Sequence, residues 1–137
     1  MNFELFKKEY KEIDKSLDLN WTYGKGKKYF SDRIKSKNSL VEVAEYENKI
    51  IGYSCGSLVG SFIRKGIHAE MEDSIIEKDF RRMGIGSVFV KNFLKWCKTK
   101  KVNFISVVIT AQNEPSINFV KKLGFKEYTV IMEKKLR

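Results

Sequence analysis

The chain has 137 residues, enough for one domain (1–137) with its own core; 42% of them are hydrophobic and 13% aromatic. That composition excludes a disordered chain, and no apolar run approaches membrane-spanning length. With 27 Lys and Arg against 17 Asp and Glu, the net charge is +10, which favours anionic partners such as nucleic acid or a cofactor bearing several phosphates.

The basic residues are spread along the whole chain rather than gathered in a block, which weakens the nucleic-acid reading. Cys55 and Cys97 are the only cysteines and there is one histidine, so no structural zinc site is expected. Two free thiols point to a reducing, cytoplasmic setting. The opening MNFELFKKEYKEID is too charged for a secretory signal.

In chain order, Leu5, Phe6, Ile13 and Leu17 suggest a helix over Phe3 to Leu17 with a charged outer face. MNFELF carries no clear strand pattern. Asp18 to Gly26 reads as a loop containing Trp21 and Tyr23. A helix over Lys28 to Lys35 would turn Tyr29, Phe30 and Ile34 inward. Leu40 to Tyr46, the turn Glu47-Asn48 and Lys49 to Val59 read as a β-hairpin. Gly66 to Ile76 is a third strand. A helix over Gly84 to Lys100 places Ile85, Val88, Phe89, Phe93 and Trp96 on one stripe. The nearly continuous apolar run Val102 to Ile109 is a strand covered on both faces. Strand, helix, strand at this spacing is a right-handed crossover, so the third and fourth strands should be parallel. Pro115 suits a first helical turn, Gly124 suits the position after a helix end, and Phe125 to Glu133 reads as a last strand.

The stretch between the third strand and its helix carries the chemistry. Arg81-Arg82-Met83-Gly84-Ile85-Gly86 puts two arginines and two glycines at a helix N-terminus. Free backbone N–H groups and the helix dipole there attract phosphate, and glycine lets it approach. Phe89 stands where a dinucleotide fingerprint needs its third glycine, and Ser87-Val88 after Gly86 does not complete a P-loop.

This segment resembles the R/Q-x-x-G-x-G/A signature of the GNAT superfamily, the acyl-CoA-dependent N-acyltransferases. Asn113-Glu114-Pro115-Ser116-Ile117 and Lys122-Leu123-Gly124-Phe125 resemble its closing segment, and Glu72-Asp73 fits its preceding strand. The resemblance covers roughly Val41 to Arg137. It implies an α/β fold with a mixed, mostly antiparallel sheet, one splayed parallel strand pair and flanking helices. It also implies acetyl-CoA as cosubstrate, no metal, and a primary amine on a small molecule or protein as acceptor. Neither nucleic acid nor membrane is expected as a partner, and a homodimer is the assembly considered.

For the cofactor, the resemblance implies the backbone from Arg81 and Arg82 through Met83, Gly84, Ile85, Gly86 and Ser87 at the pyrophosphate. It implies Ser74, Ile75 and Ile76 as a strand edge for the pantetheine arm, with Asn113 as a further polar contact. Strict alternation puts Glu70, Glu72 and Ser74 on one strand face and Met71, Asp73 and Ile75 on the other. Glu72 is then the candidate base, its pKa expected to be raised by burial beside Glu70. Val120 stands where many family members carry a tyrosine acid, so Tyr128 or Tyr53 is considered in that role. Acidic residues beside Trp21, Tyr23 and Tyr29 hint at a cationic acceptor: a polyamine, an aminosugar or a lysine side chain. Two other readings remain: a non-catalytic acyl-CoA-binding module on this fold, and a basic nucleic-acid-binding protein.

Overall fold

The computed structural model describes Lys7, Lys11, Glu12 and residues 14–61 and 63–137. The helix expected over Phe3 to Leu17 and any strand in MNFELF lie largely outside these residues. From residue 14 the order is α1 (Lys25–Lys35), β1 (Ser39–Tyr46), β2 (Lys49–Val59), β3 (His68–Ile76), a 3-10 turn (Lys78–Phe80), α2 (Ile85–Thr99), β4 (Phe104–Val107) and α3 (Glu114–Lys122). The sheet order is β1-β2-β3-β4, antiparallel except for the parallel pair β3 and β4. This is the mixed sheet that the sequence implies.

The hairpin forms where the sequence puts it. Glu47 and Asn48 both take positive φ, 49° and 62°. Two consecutive residues in that region make the turn whose twist matches antiparallel strands. β2 therefore starts at Lys49, and the pairing Tyr46 with Lys49 closes the ladder.

α2 packs on one face of the sheet. Phe89, Val90, Phe93 and Cys97 are its buried residues. Val88, expected inward, is 54% exposed, and Cys97 takes the inward place one turn beyond Phe93. Ala69, Phe93 and Cys97 form the centre of the core, with Leu40, Leu58, Met71, Trp96, Val102 and Ile105 around them. α1 covers part of the opposite face, where the rings of Phe30 and Tyr53 meet edge to face at 5.5 Å. The sheet thus separates a face lined by α2 from a face lined by α1.

Three expectations are corrected. α1 begins at Lys25, three residues early, because the backbone N–H of Gly26 reaches the Trp21 carbonyl at 2.7 Å and closes the first turn. β4 is shorter than Val102 to Ile109 because only Phe104–Val107 finds a partner in β3. Residues 125–133 form no strand: nothing in the sheet pairs with them, and strand propensity without a ladder leaves extended backbone.

Gly56 shows how tightly α2 sits on the sheet. A Cβ there would run into the Phe93 ring and lie 2.8 Å from the Glu70 carbonyl oxygen. Gly56→Ala should overpack this contact and cost about 1–3 kcal/mol. A denaturant midpoint within error of the parent would show that α2 can shift freely on the sheet.

Candidate active site

β3 and β4 run together only from His68 with Phe104 to Met71 with Val107. β4 ends there, while β3 continues through Ile76. Among the described residues, 72–76 therefore have β2 on one side and no strand on the other. Backbone groups that would otherwise enter a ladder face an open gap. The parallel pair parts at its C-terminal ends, and Ser74, Ile75 and Ile76 lie along the parting edge.

On the α2 face this gap is overlooked by a helix N-terminus. Gly84 caps α2 with φ 87° and ψ 0°, in the left-handed region where a Cβ is costly. No side chain caps the helix and its first turn holds no acid. The N–H groups of Ile85, Gly86 and Ser87 thus have no intrahelical acceptor. Arg82, at φ 63°, turns the chain into the helix, and Arg81, Arg82, Met83 and Ser87 are exposed around it. The Arg81 Nε donates to the Ile76 carbonyl at 2.8 Å, tying the loop to the end of β3. Part of this guanidinium therefore holds the fold rather than waiting for a ligand.

The second glycine has a different reason from the first. A Cβ at Gly86 would lie 3.3 Å from Phe119 Cζ and 3.6 Å from Ile76 Cδ1. Gly86 lets α2 approach α3 and β3, whereas Gly84 supplies the backbone conformation. Asn113 caps α3 by accepting the Ser116 N–H at 3.4 Å through its Oδ1. Its amide nitrogen is left as the donor for another group.

On the α1 face stands an acidic cluster that strict alternation did not foresee. The pairing of β2 with β3 skips a residue: Cys55 pairs with Asp73 and Gly56 with Met71, so Glu72 is the extra residue of a bulge. The bulge shifts the pleat. Asp73 joins Tyr53 on the α1 face, accepting its phenolic hydrogen at 2.6 Å. Ser74, paired with buried Ser54, moves to the α2 side together with Ile76, whose Cδ1 lies near Gly86. The face assignments of Asp73, Ser74 and Ile75 are therefore corrected.

Glu72 is held by four N–H and O–H donors from three residues. Arg33 of α1 reaches it with Nε at 2.8 Å and Nη2 at 3.1 Å, and the hydroxyls of Tyr29 and Ser57 also donate to it. Arg33 lies over the Tyr29 ring, 4.5 Å from its centroid. Desolvation pushes the Glu72 pKa up, but the hydrogen bonds from Arg33, Ser57 and Tyr29 outweigh it and hold it below the usual value. The expected upward shift is thus reversed, because the group is paired as well as buried. Burial, then the bond to Glu72, drives the Tyr29 phenol far above its ordinary range, so it stays a donor. Burial likewise pushes the nearby Cys55 thiol up to about 11, which leaves it unreactive.

Glu70 is the carboxylate that the sequence reading passed over. It is half-buried, pairs with Ser57 and Ser106 one step before β3 and β4 part, and no donor reaches it among the described residues. Desolvation and the charge of Glu72 raise its pKa. Glu70 precedes the bulge and keeps the face that alternation gave it; what the sequence does not show is that Glu72 is paired by Arg33, Tyr29 and Ser57.

Tyr128 does not join this group. Its ring is 73% exposed, and Arg64 lies over it at 4.5 Å and over Phe104 at 3.5 Å. Phe104 pairs with His68 at the start of the parallel pair, the end opposite the gap. Eight residues of β3 at ~3.3 Å each separate the two ends. His68 is half-buried against Phe104 at that same far end. Among the described residues, no group of three or more His, Cys, Asp or Glu is placed to hold a metal.

The Arg33–Glu72 pair generates a prediction. The Glu72 side chain is 11% exposed and that of Arg33 30%. Arg33→Met should cost roughly 2–3 kcal/mol at neutral pH, below the ~3–5 kcal/mol of a fully buried pair. Because the folded pKa of Glu72 is depressed, its stabilisation is present above the ordinary carboxylate value and is lost as pH falls through the lower folded value. The gap between parent and variant should therefore narrow in urea titrations below pH 4.5. A gap independent of pH would assign the loss to packing alone.

Comparison with known proteins agrees with this geometry. The model of the acetyltransferase (GNAT) family matches residues 4–125. An uncharacterized N-acetyltransferase of Methanocaldococcus jannaschii is 29% identical over 93% of this chain and 56% of its own length. An N-alpha-acetyltransferase of Sulfurisphaera tokodaii is 26% identical over 75% of this chain and 66% of its own. The chain thus spans between about half and two thirds of these relatives. Among solved structures, a mutant BH1408 protein of Bacillus halodurans superposes with a TM-score of 0.82 at 20% identity, covering 99% of this chain and 89% of that one. The aminoglycoside N-acetyltransferase AAC(6′)-Iy in complex with CoA gives 0.69 at 16%, covering 86% and 93%. With its basic glycine turn and parting strands inside a match that spans most of its length, the chain belongs to the GNAT acetyltransferase family.

Proposed function

We propose that residues 1–137 act as a single N-acetyltransferase domain that transfers an acetyl group from acetyl-CoA to a primary amine by direct attack on the thioester. One observation carries this reading. The gap beyond Met71 and Val107 has an uncapped helix N-terminus on one face and, on the other, Glu70, a carboxylate that no donor reaches among the described residues. An anionic cosubstrate and a cationic acceptor can therefore meet across the sheet edge without crowding each other's counter-charges.

On the α2 side, the N–H groups from Arg82 to Ser87 and the Arg82 guanidinium bind the pyrophosphate. The free edge at Ser74, Ile75 and Ile76 pairs with the amides of the pantetheine arm as an added strand would. Asn113, its oxygen used as a cap, offers its amide N–H. A backbone N–H at Ile75 or Ile76 meets the oxygen that gains charge during attack. On the α1 side, Glu70 takes a proton from the ammonium, whose ordinary pKa is roughly 10, directly or through one water. The amine nitrogen bonds to the acetyl carbon, the carbon–sulfur bond breaks with its electron pair leaving on sulfur, and the proton that nitrogen still has to lose passes to the thiolate, so that an amide and a thiol leave while the first proton returns from Glu70 to solvent. A thiolate of pKa near 8.5 departs without a strong acid, so Val120 in place of a tyrosine is tolerated.

Glu72 is a positioning residue in this account, fixed by Arg33, Tyr29 and Ser57, and it keeps α1 against the sheet. Asp73, Tyr53, Tyr29 and Trp21 surround the acceptor's approach with acidic and aromatic groups. A small cationic amine suits that lining. The free, buried state of Cys55 and Cys97 supports a cytoplasmic setting. No helix among the described residues is long and apolar enough to cross a membrane.

Glu70→Gln should lower kcat/KM at neutral pH by roughly 10²- to 10⁴-fold, and the loss should shrink as pH rises and the amine arrives deprotonated. Acetyl-CoA affinity, measured by calorimetry, should hold. Activity near the parent's across pH in a folded Glu70→Gln variant would remove Glu70 from the mechanism. Arg82→Ala should weaken coenzyme A but not acetyl-pantetheine, which lacks the nucleotide phosphates. Equal losses for both would place Arg82 outside the phosphate site.

A further inference from the structure

On the β1 side of α2, away from the gap between β3 and β4, the fold leaves an open cleft of about 590 Å³. β1, the 3-10 turn and the first two turns of α2 enclose it. That volume is in the range of small-molecule sites. Ile51 and Phe89, both buried, make its floor. Val43, Tyr46, Met83 and Val88 line it while each stays more than half exposed. Apolar side chains are thus left uncovered side by side, unlike the single apolar residues scattered over an ordinary surface.

The charges of the cleft are of one sign. Glu42, Glu45 and Asp79 line it, and no lysine or arginine does, in a chain where 27 residues are basic. The Asn92 Nδ2 donates to the Glu42 Oε1 at 2.7 Å and orients that carboxylate. The rings of Tyr46 and Phe80 stand 5.5 Å apart, tilted by 54°. Aromatic faces attract cations as carboxylates do, and more strongly where water is partly excluded. Apolar floor, aromatic rings and carboxylates together suit a positive charge carried on an apolar body.

We propose that this cleft is a second ligand site, taking a small organic cation with an alkyl or aryl body, separate from the site of acetyl transfer. The cationic head sits among Glu42, Glu45 and Asp79 against the Tyr46 and Phe80 rings. The body covers Met83 and Val88 above Ile51 and Phe89. Charge complementarity selects this occupant, because a polyphosphate such as coenzyme A would meet three carboxylates and no counter-charge. A bounded concave volume favours a small molecule over the broad face of a protein partner.

Hexyltrimethylammonium tests this, because its nitrogen carries no N–H and no lone pair and cannot accept an acetyl group. Calorimetry should show saturable one-to-one binding, and hexanoate should not bind. Backbone amide resonances of Ala44, Tyr46, Phe80 and Val88 should shift. Glu45→Gln with Asp79→Asn, both exposed, keeps shape and removes charge, and should weaken binding roughly tenfold. Val88→Lys sets a cation in the cleft and should abolish binding with circular dichroism unchanged. Asp32→Asn, exposed on α1, should alter nothing. Met83 and Ile85 flank the Gly84 cap, so the titration is repeated with acetyl-CoA, and the ion should bind either way. A chain that takes the ion but not acetyl-CoA would fail the transfer reading alone. No saturable binding of the ion would overturn the present proposal, as would equal affinity for hexanoate or indifference to both cleft variants. Competition between the ion and acetyl-CoA for one site would place the ion in the gap and also overturn it. So would a leucine- and lysine-rich peptide that shifts the cleft resonances when the ion does not, which would give the cleft to a protein segment.

Discussion

A strand that outlasts its neighbour is the constraint on which the site depends. β3 continues to Ile76 while β4 stops at Val107, so the sheet opens between them. Backbone polar groups cannot be left without partners in a packed interior. The gap must therefore meet solvent or another extended, amide-bearing molecule. Gly84 and Gly86 serve the same opening from above. One supplies the left-handed cap and the other the close approach to Phe119, so the donor end of α2 settles beside the gap.

Charge is distributed across the sheet in keeping with that opening. The α2 side presents uncapped N–H groups and arginines. The α1 side presents Glu70, Glu72 and Asp73. Of these carboxylates, Glu72 is consumed by Arg33, Tyr29 and Ser57, which lock it in the ionised form. Burial first, and then the charge of Glu72, raises the pKa of Glu70, which has no such donors among the described residues. Two carboxylates two residues apart are thus driven in opposite directions by their surroundings.

Much of this was legible in the sequence. The hairpin limits at Tyr46 and Lys49 follow from alternation meeting a Glu-Asn turn. The cap at Gly84 follows from a glycine placed before an amphipathic run. The crossover of β3, α2 and β4 follows from element order. What escaped are properties of two segments at once. The bulge at Glu72 exists only in the register between β2 and β3, so alternation along β3 alone misassigned Asp73, Ser74 and Ile75. The role of Gly86 depends on Phe119, over thirty positions away. Residues 125–133 have the composition of a strand, but a strand needs a partner that composition cannot supply. The far position of Tyr128 follows from the same missing ladder.

The central claim is that the free edge of β3 and the N-terminus of α2 together hold the thioester cosubstrate. Amide hydrogen exchange with and without acetyl-CoA tests it most directly. The account predicts slowed exchange confined to the N–H groups between Asp73 and Ile76 and between Arg82 and Ser87. The β1–β2 hairpin and the 125–133 segment should be unchanged. Binding that leaves those two stretches as exposed as before, or protects another part of the molecule instead, would contradict it.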